Sequence, residues 1–90
     1  MIYRYGAAEG FWKTFYRLSP EQKEYVRKAW TLFKANPFDP RLGTHRISKL
    51  SSEYKRTIYS VVIEADLRAI FYIDGDLVWT VDIGTHDIYK

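Results

Sequence analysis

Three apolar runs in strict alternation occupy the last third of the chain: Tyr59, Val61 and Ile63; Leu67, Ala69, Phe71 and Ile73; Leu77, Trp79, Val81 and Ile83. Side chains of a strand alternate between two faces, so each run reads as a strand with one face buried. Every member is odd-numbered, and one shared buried face requires odd residues to pair with odd. Three-residue loops at Glu64-Ala65-Asp66 and Asp74-Gly75-Asp76 give that parity most simply. In this register Arg68 stands opposite Asp82, and Gly84 leaves room above the sheet just before His86. Arg68, Asp82, His86 and Asp66 then gather at one sheet end. The even face, with Ser60, Val62, Glu64, Arg68, Ile70, Tyr72, Val78, Thr80 and Asp82, is expected to be partly open to solvent or substrate.

The first third supplies a cover for the odd face. Phe11, Phe15 and Leu18 recur at helical spacing, with Trp12 and Tyr16 widening the stripe. Ser19-Pro20-Glu21-Gln22 reads as a helix start, with Ser19 as cap, Pro20 at the first helical position and Gln22 completing a capping box. Val26, Ala29, Trp30 and Phe33 share one face of that helix, which should stop at Asn36 because Pro37 disfavours helical geometry in its predecessor. Short strands are expected at Ile2-Tyr5 and near His45-Leu50. The fold class is therefore α+β, a compact antiparallel sheet with an N-terminal two-helix hairpin on one face. Trp12, Trp30 and Trp79 read as core rather than as nucleic-acid platforms.

The 90 residues fit one domain, 1–90, and an 18% aromatic content compensates for the short chain with large buried rings. There is no cysteine, which excludes a disulfide framework and a thiolate metal site and fits a reducing cytosol. No apolar run is long enough to span a bilayer and no signal-peptide core follows Met1, so a cytoplasmic protein without membrane contact is expected. The 2 histidines show no short ligand spacing, so neither metal nor cofactor is expected. Net charge is +3, and the distribution says more. Arg41, Arg46, Lys49, Lys55 and Arg56 lie close together with Glu53 as the one intervening acid, the local concentration that phosphate contact needs.

In order along the chain stand the helix pair joined at Leu18-Ser19-Pro20, the Asn36-Pro37-Phe38-Asp39-Pro40-Arg41-Leu42 connector and Thr44-His45-Arg46-Ile47. Tyr59-Ser60-Val61, Asp66-Leu67-Arg68-Ala69-Ile70-Phe71-Tyr72 and Val81-Asp82-Ile83-Gly84-Thr85-His86-Asp87-Ile88-Tyr89 follow. With these segments in this order the sequence resembles the RelE/ParE toxin superfamily over nearly its whole length. The resemblance implies a toxin of a type II toxin–antitoxin pair, with a cognate antitoxin as partner. For the RNA-cutting branch it implies a metal-independent endoribonuclease acting on mRNA, often on the ribosome. Arg68 matches that branch's strand arginine and His86 its C-terminal histidine. Tyr89 stands for the terminal aromatic, although it lies three residues beyond His86. Asp66 matches an acidic position of one histidine-bearing branch, whose further histidine is replaced here by Val62. His45 and Lys49 correspond loosely to the basic strand.

Cutting RNA through its own 2′-hydroxyl needs a base, a cation for the developing phosphorane charge and an acid for the leaving 5′-oxygen. Arg68 suits the cation because its fork holds two phosphate oxygens. His86 suits either proton transfer, with His45 or Asp66 as counterpart. Tyr89 would stack on a base or orient the phosphate. Arg41, Arg46, Lys49, Lys55 and Arg56 would steer the backbone. Plainer roles exist for the same residues: an Arg68–Asp82 ion pair, turn-forming Asp66 and Asp74, a surface His86 and a Tyr89 that packs the chain end. The alternatives to a nuclease are a ParE-like inhibitor of DNA gyrase and an inactive binding relative.

Overall fold

In the computed structural model, residues 2–85 are described. His86 and Tyr89 lie outside them. The elements run β1 (Arg4–Ala7), α1 (Glu9–Arg17), α2 (Pro20–Ala35), a 3₁₀ turn (Pro40–Leu42), β2 (His45–Arg46), α3 (Ser48–Tyr54), β3 (Tyr59–Glu64), β4 (Leu67–Asp74) and β5 (Leu77–Gly84). The start of α2 is built as the sequence demands. Ser19 Oγ accepts the Gln22 N–H at 3.1 Å and Gln22 Oε1 accepts the Ser19 N–H at 3.0 Å, a reciprocal cap worth about 1 kcal/mol. Asn36 ends the helix before Pro37.

The sheet order is β1-β5-β4-β3-β2. The helix pair carries the chain from β1 at one edge to β2 at the other, and β1 lies parallel to β5. The sheet is therefore mixed, not antiparallel throughout, because strands joined through a long crossover are free to run the same way. The expected strand His45-Leu50 shrinks to His45–Arg46, and a third helix, α3, replaces the rest. Ile47, Leu50, Ser51 and Tyr54 carry a helical period that a strand reading overlooks. Ser51 Oγ donates to the Ile47 carbonyl at 2.8 Å and accepts the Ile58 N–H at 2.9 Å, tying the helix to the entry of β3.

The parity of the sheet arises differently from the sequence expectation. Both hairpins have two-residue turns, with Glu64 opposite Leu67 and Asp74 opposite Leu77, and each is followed by a register shift. Beyond the shifts odd pairs with odd: Tyr59 with Phe71, Val61 with Ala69, Ala69 with Ile83. Between the second turn and its shift the parity is inverted. There Val78 and Thr80 are buried toward the helices, and Leu77, Trp79 and Val81 turn to the other face. One extra residue re-aims every side chain up to the bulge.

Two cores result. On the odd face α1 and α2 cover Val61, Leu67, Ala69, Phe71, Val78 and Ile83. On the even face α3 covers Ile70 with Leu50 and Ile58, and Tyr72 and Val81 pack against them. The even face is thus closed at its centre by α3. None of the tryptophans belongs to either core: Trp12 and Trp30 are 45% and 41% exposed on the helices, and Trp79 is half-buried on the even face.

Candidate active site at the end of the central strand

Arg68 lies on β4, the middle strand of five, and its neighbours are Val62 on β3 and Gly84 on β5. The expected partner across β5, Asp82, stands opposite Ile70, because the two-residue turn and the bulge together move β5 by two residues from the expected register. No ion pair involves Arg68 among the described residues. Its Nη1 donates to the carbonyl oxygens of Ala65 and Leu67, which folds the guanidinium toward the β3–β4 turn. Asp82 instead accepts the Ile83 N–H at 2.8 Å. On the β5 side of the half-buried Arg68, Gly84 brings no side chain.

His45 reaches the same face from β2. It pairs with Ser60, which pairs with Ile70, so strand spacing puts the His45 and Arg68 Cα atoms on the order of 12 Å apart. The imidazole is drawn toward the Arg68 row: Nδ1 lies 3.0 Å from the Gly43 carbonyl. A carbonyl oxygen only accepts, so Nδ1 carries the proton, and in the neutral ring Nε2 keeps a lone pair. Gly43 closes the 3₁₀ turn at φ +57, a conformation that favours glycine, and a Cβ there would come within 3.3 Å of Val62. Thr44 fixes the approach by donating to the Pro37 carbonyl at 2.6 Å.

The remaining candidates scatter. Asp66 is exposed in the β3–β4 turn, two residues before Arg68. Arg41 is held by Asp39 through contacts of 3.0 and 2.8 Å, and the Arg41 bonds lower the Asp39 carboxyl to about 2. Its charge is therefore already compensated. Arg46, Lys49 and Lys55 are exposed on β2 and around α3. The Arg56 guanidinium lies over the Tyr72 ring, 4.2 Å from its centroid. Tyr72 lies on the even face as the sequence expectation has it, whereas Trp79, expected in the odd-face core, stands opposite it on the even face because of the register between turn and bulge. A cavity of about 350 Å³ sits on the opposite side of the sheet, between Phe11, Phe15, Trp30, Phe33 and Phe71. Arg27 is its one charged wall residue, so it holds no acid–base pair. Among the described residues no helix is long and apolar enough to cross a membrane.

No protein-family model matches the chain, and no curated protein matches it in sequence. Solved structures match its fold. The archaeal RelE–RelB complex from Pyrococcus horikoshii OT3 superposes with a TM-score of 0.72 at 11% identity, over 94% of this chain and 96% of that one. YafQ from E. coli strain BL21(DE3) gives 0.69 at 16% identity over 96% of each chain. A copper-bound mutant toxin from Helicobacter pylori gives 0.65 at 20% identity over 97% of this chain and 98% of that one.

Proposed function

From the RelE-like fold that the chain carries, we propose that it is the toxin of a type II toxin–antitoxin pair, a metal-independent endoribonuclease that cuts mRNA. The observation that supports this reading best is Arg68, a half-buried guanidinium with no ion-pair partner among the described residues, placed beside a glycine on the central strand. Its free N–H groups suit a phosphate that gains charge as it is attacked. His45 Nε2 takes the proton of the 2′-hydroxyl, and the 2′-oxygen attacks the adjacent phosphorus. The P–O5′ bond breaks, the leaving oxygen receives a proton, and a 2′,3′-cyclic phosphate and a 5′-hydroxyl remain. His86 or Asp66 supplies that proton, with Tyr89 against the base or phosphate, as the family resemblance implies. Arg46, Lys49, Lys55 and Arg56 steer the RNA backbone, on the ribosome where the message is displayed. Residues 1–90 act as one toxin domain in the cytoplasm, and the partner is a cognate antitoxin, as RelB is in the complex that shares this fold.

A single-stranded RNA assay tests the reading. Wild type is expected to leave cyclic phosphate ends, and Arg68→Ala and His45→Ala each to cut about 10²-fold or more slowly. Supercoiling by DNA gyrase is expected to be unaffected. Full cleavage by Arg68→Ala, or gyrase inhibition without RNA cleavage, overturns it.

A further inference from the structure

Trp79 is the tryptophan on the even face, the side of the sheet that carries Arg68. It belongs to neither core, yet it is held in one place. It stands opposite Tyr72 on β4 and beside Gly6 on β1. Two indole carbons lie 2.6 and 2.8 Å from where a Cβ on Gly6 would be, so the ring rests directly on the bare backbone of β1. On the other side of Tyr72, Arg56 stacks its guanidinium on the phenol ring at 4.2 Å. Directly opposed residues have Cβ atoms about 5 Å apart, so Trp79 and Tyr72 start side by side. The indole leans over β1 and the guanidinium lies on the phenol, so the three groups stand in one line across the sheet without ring contact between indole and phenol. The row faces the same side as Arg68. It lies four residues along β4 from it, about 13 Å.

We propose that the Trp79–Tyr72–Arg56 row is a base-stacking subsite for single-stranded RNA held across the Arg68 site. The proposal rests on the nuclease reading and adds to it which bases, relative to the cut, the protein feels. Every nucleobase has a π-face, so two aromatic rings flanked by a cation bind a splayed base with little sequence demand. Charge favours the same ligand: Lys49, Lys55 and Arg56 stand around α3 next to the row, in a segment whose one acid is Glu53. With the row about 13 Å from Arg68 along β4, the stacked base lies a few nucleotides from the phosphate at Arg68.

The test uses an eight-nucleotide 2′-O-methyl RNA, which 2′-attack cannot cleave, and an abasic backbone of the same length, both read by fluorescence anisotropy. Wild type is expected to bind the oligonucleotide with bases about ten-fold or more tightly than the abasic one. Trp79→Leu is expected to lose most of that difference, and Arg56→Gln part of it, while affinity for the abasic backbone changes little in Trp79→Leu. The exposed Arg56 variant and Trp79→Phe, which keeps a ring, carry the comparison should Trp79→Leu not fold. An undiminished preference for bases in the Trp79 and Arg56 variants overturns the subsite. The nuclease reading stands in that case if Arg68→Ala still abolishes cleavage of ordinary RNA, and falls if it does not.

Discussion

Asp39 accepts three hydrogen bonds from Arg41: two from the guanidinium, at 3.0 and 2.8 Å, and one from the backbone N–H at 2.9 Å. The guanidinium bonds, then the backbone one, lower its carboxyl from 3.8 to about 2. A depressed carboxyl stabilises the fold only while it is ionised in the folded state. The contribution is complete above pH 3.8 and is lost as pH falls through about 2. Urea titrations should therefore show the gap between wild type and Asp39→Asn closing across that window; a gap that stays constant contradicts the assignment. Gly6 gives a second prediction at this scale. An alanine Cβ would meet the Trp79 indole at 2.6 Å, so Gly6→Ala should cost about 1–3 kcal/mol of stability and move the indole. Neither role was legible in the sequence: Arg41 was grouped with the cations that steer RNA rather than paired with Asp39, and the atom that Gly6 makes room for lies on a strand more than seventy residues away.

α3 decides how much of the even face is left for a ligand, and its end carries a weakness. Lys55, its C-cap, sits at φ +55, where a Cβ is strained by about 1 kcal/mol. Lys55→Gly should recover part of that cost and raise the melting temperature by a few degrees; a lower temperature would mean that the lysine side chain holds the helix in some other way. Leu50→Ala should act the other way, losing about 2–5 kcal/mol as a cavity opens over Ile58 and Ile70. The helix pair was readable because Ser19, Pro20 and Gln22 act locally. α3 was hidden since its 7 residues have a helical period too short to outweigh a basic, strand-like run, and its helicity comes from packing on Ile58. The strands were readable in number and place. The inverted stretch at Leu77, Trp79 and Val81 was not, because a two-residue turn plus a bulge has the same net parity as a three-residue loop and differs only between the two.

Across the whole molecule a charge of +3 is small for a nucleic-acid binder, so placement must count for more than the total. The structure divides the cations into two kinds. Arg4 and Arg41 are bidentate to Asp76 and Asp39, with bonds near 3 Å, and their carboxylates already neutralise them. Arg68 makes only carbonyl bonds, and Arg46, Lys49 and Lys55 are exposed. If the single-stranded RNA lies across the even face, each phosphate neutralised by a cation of the second kind releases counterions. The logarithm of affinity then falls with the logarithm of salt by about 0.7 per contact. Titrating the 2′-O-methyl RNA across salt should accordingly show Arg68→Ala with a slope shallower by about 0.7 than wild type. Arg41→Gln should leave the slope unchanged, although the sequence alone ranks it with the other basic residues of the connector. Equal slopes for wild type and Arg68→Ala would take the phosphate away from Arg68, and a shallower slope for Arg41→Gln would mean that Asp39 releases its partner when RNA arrives.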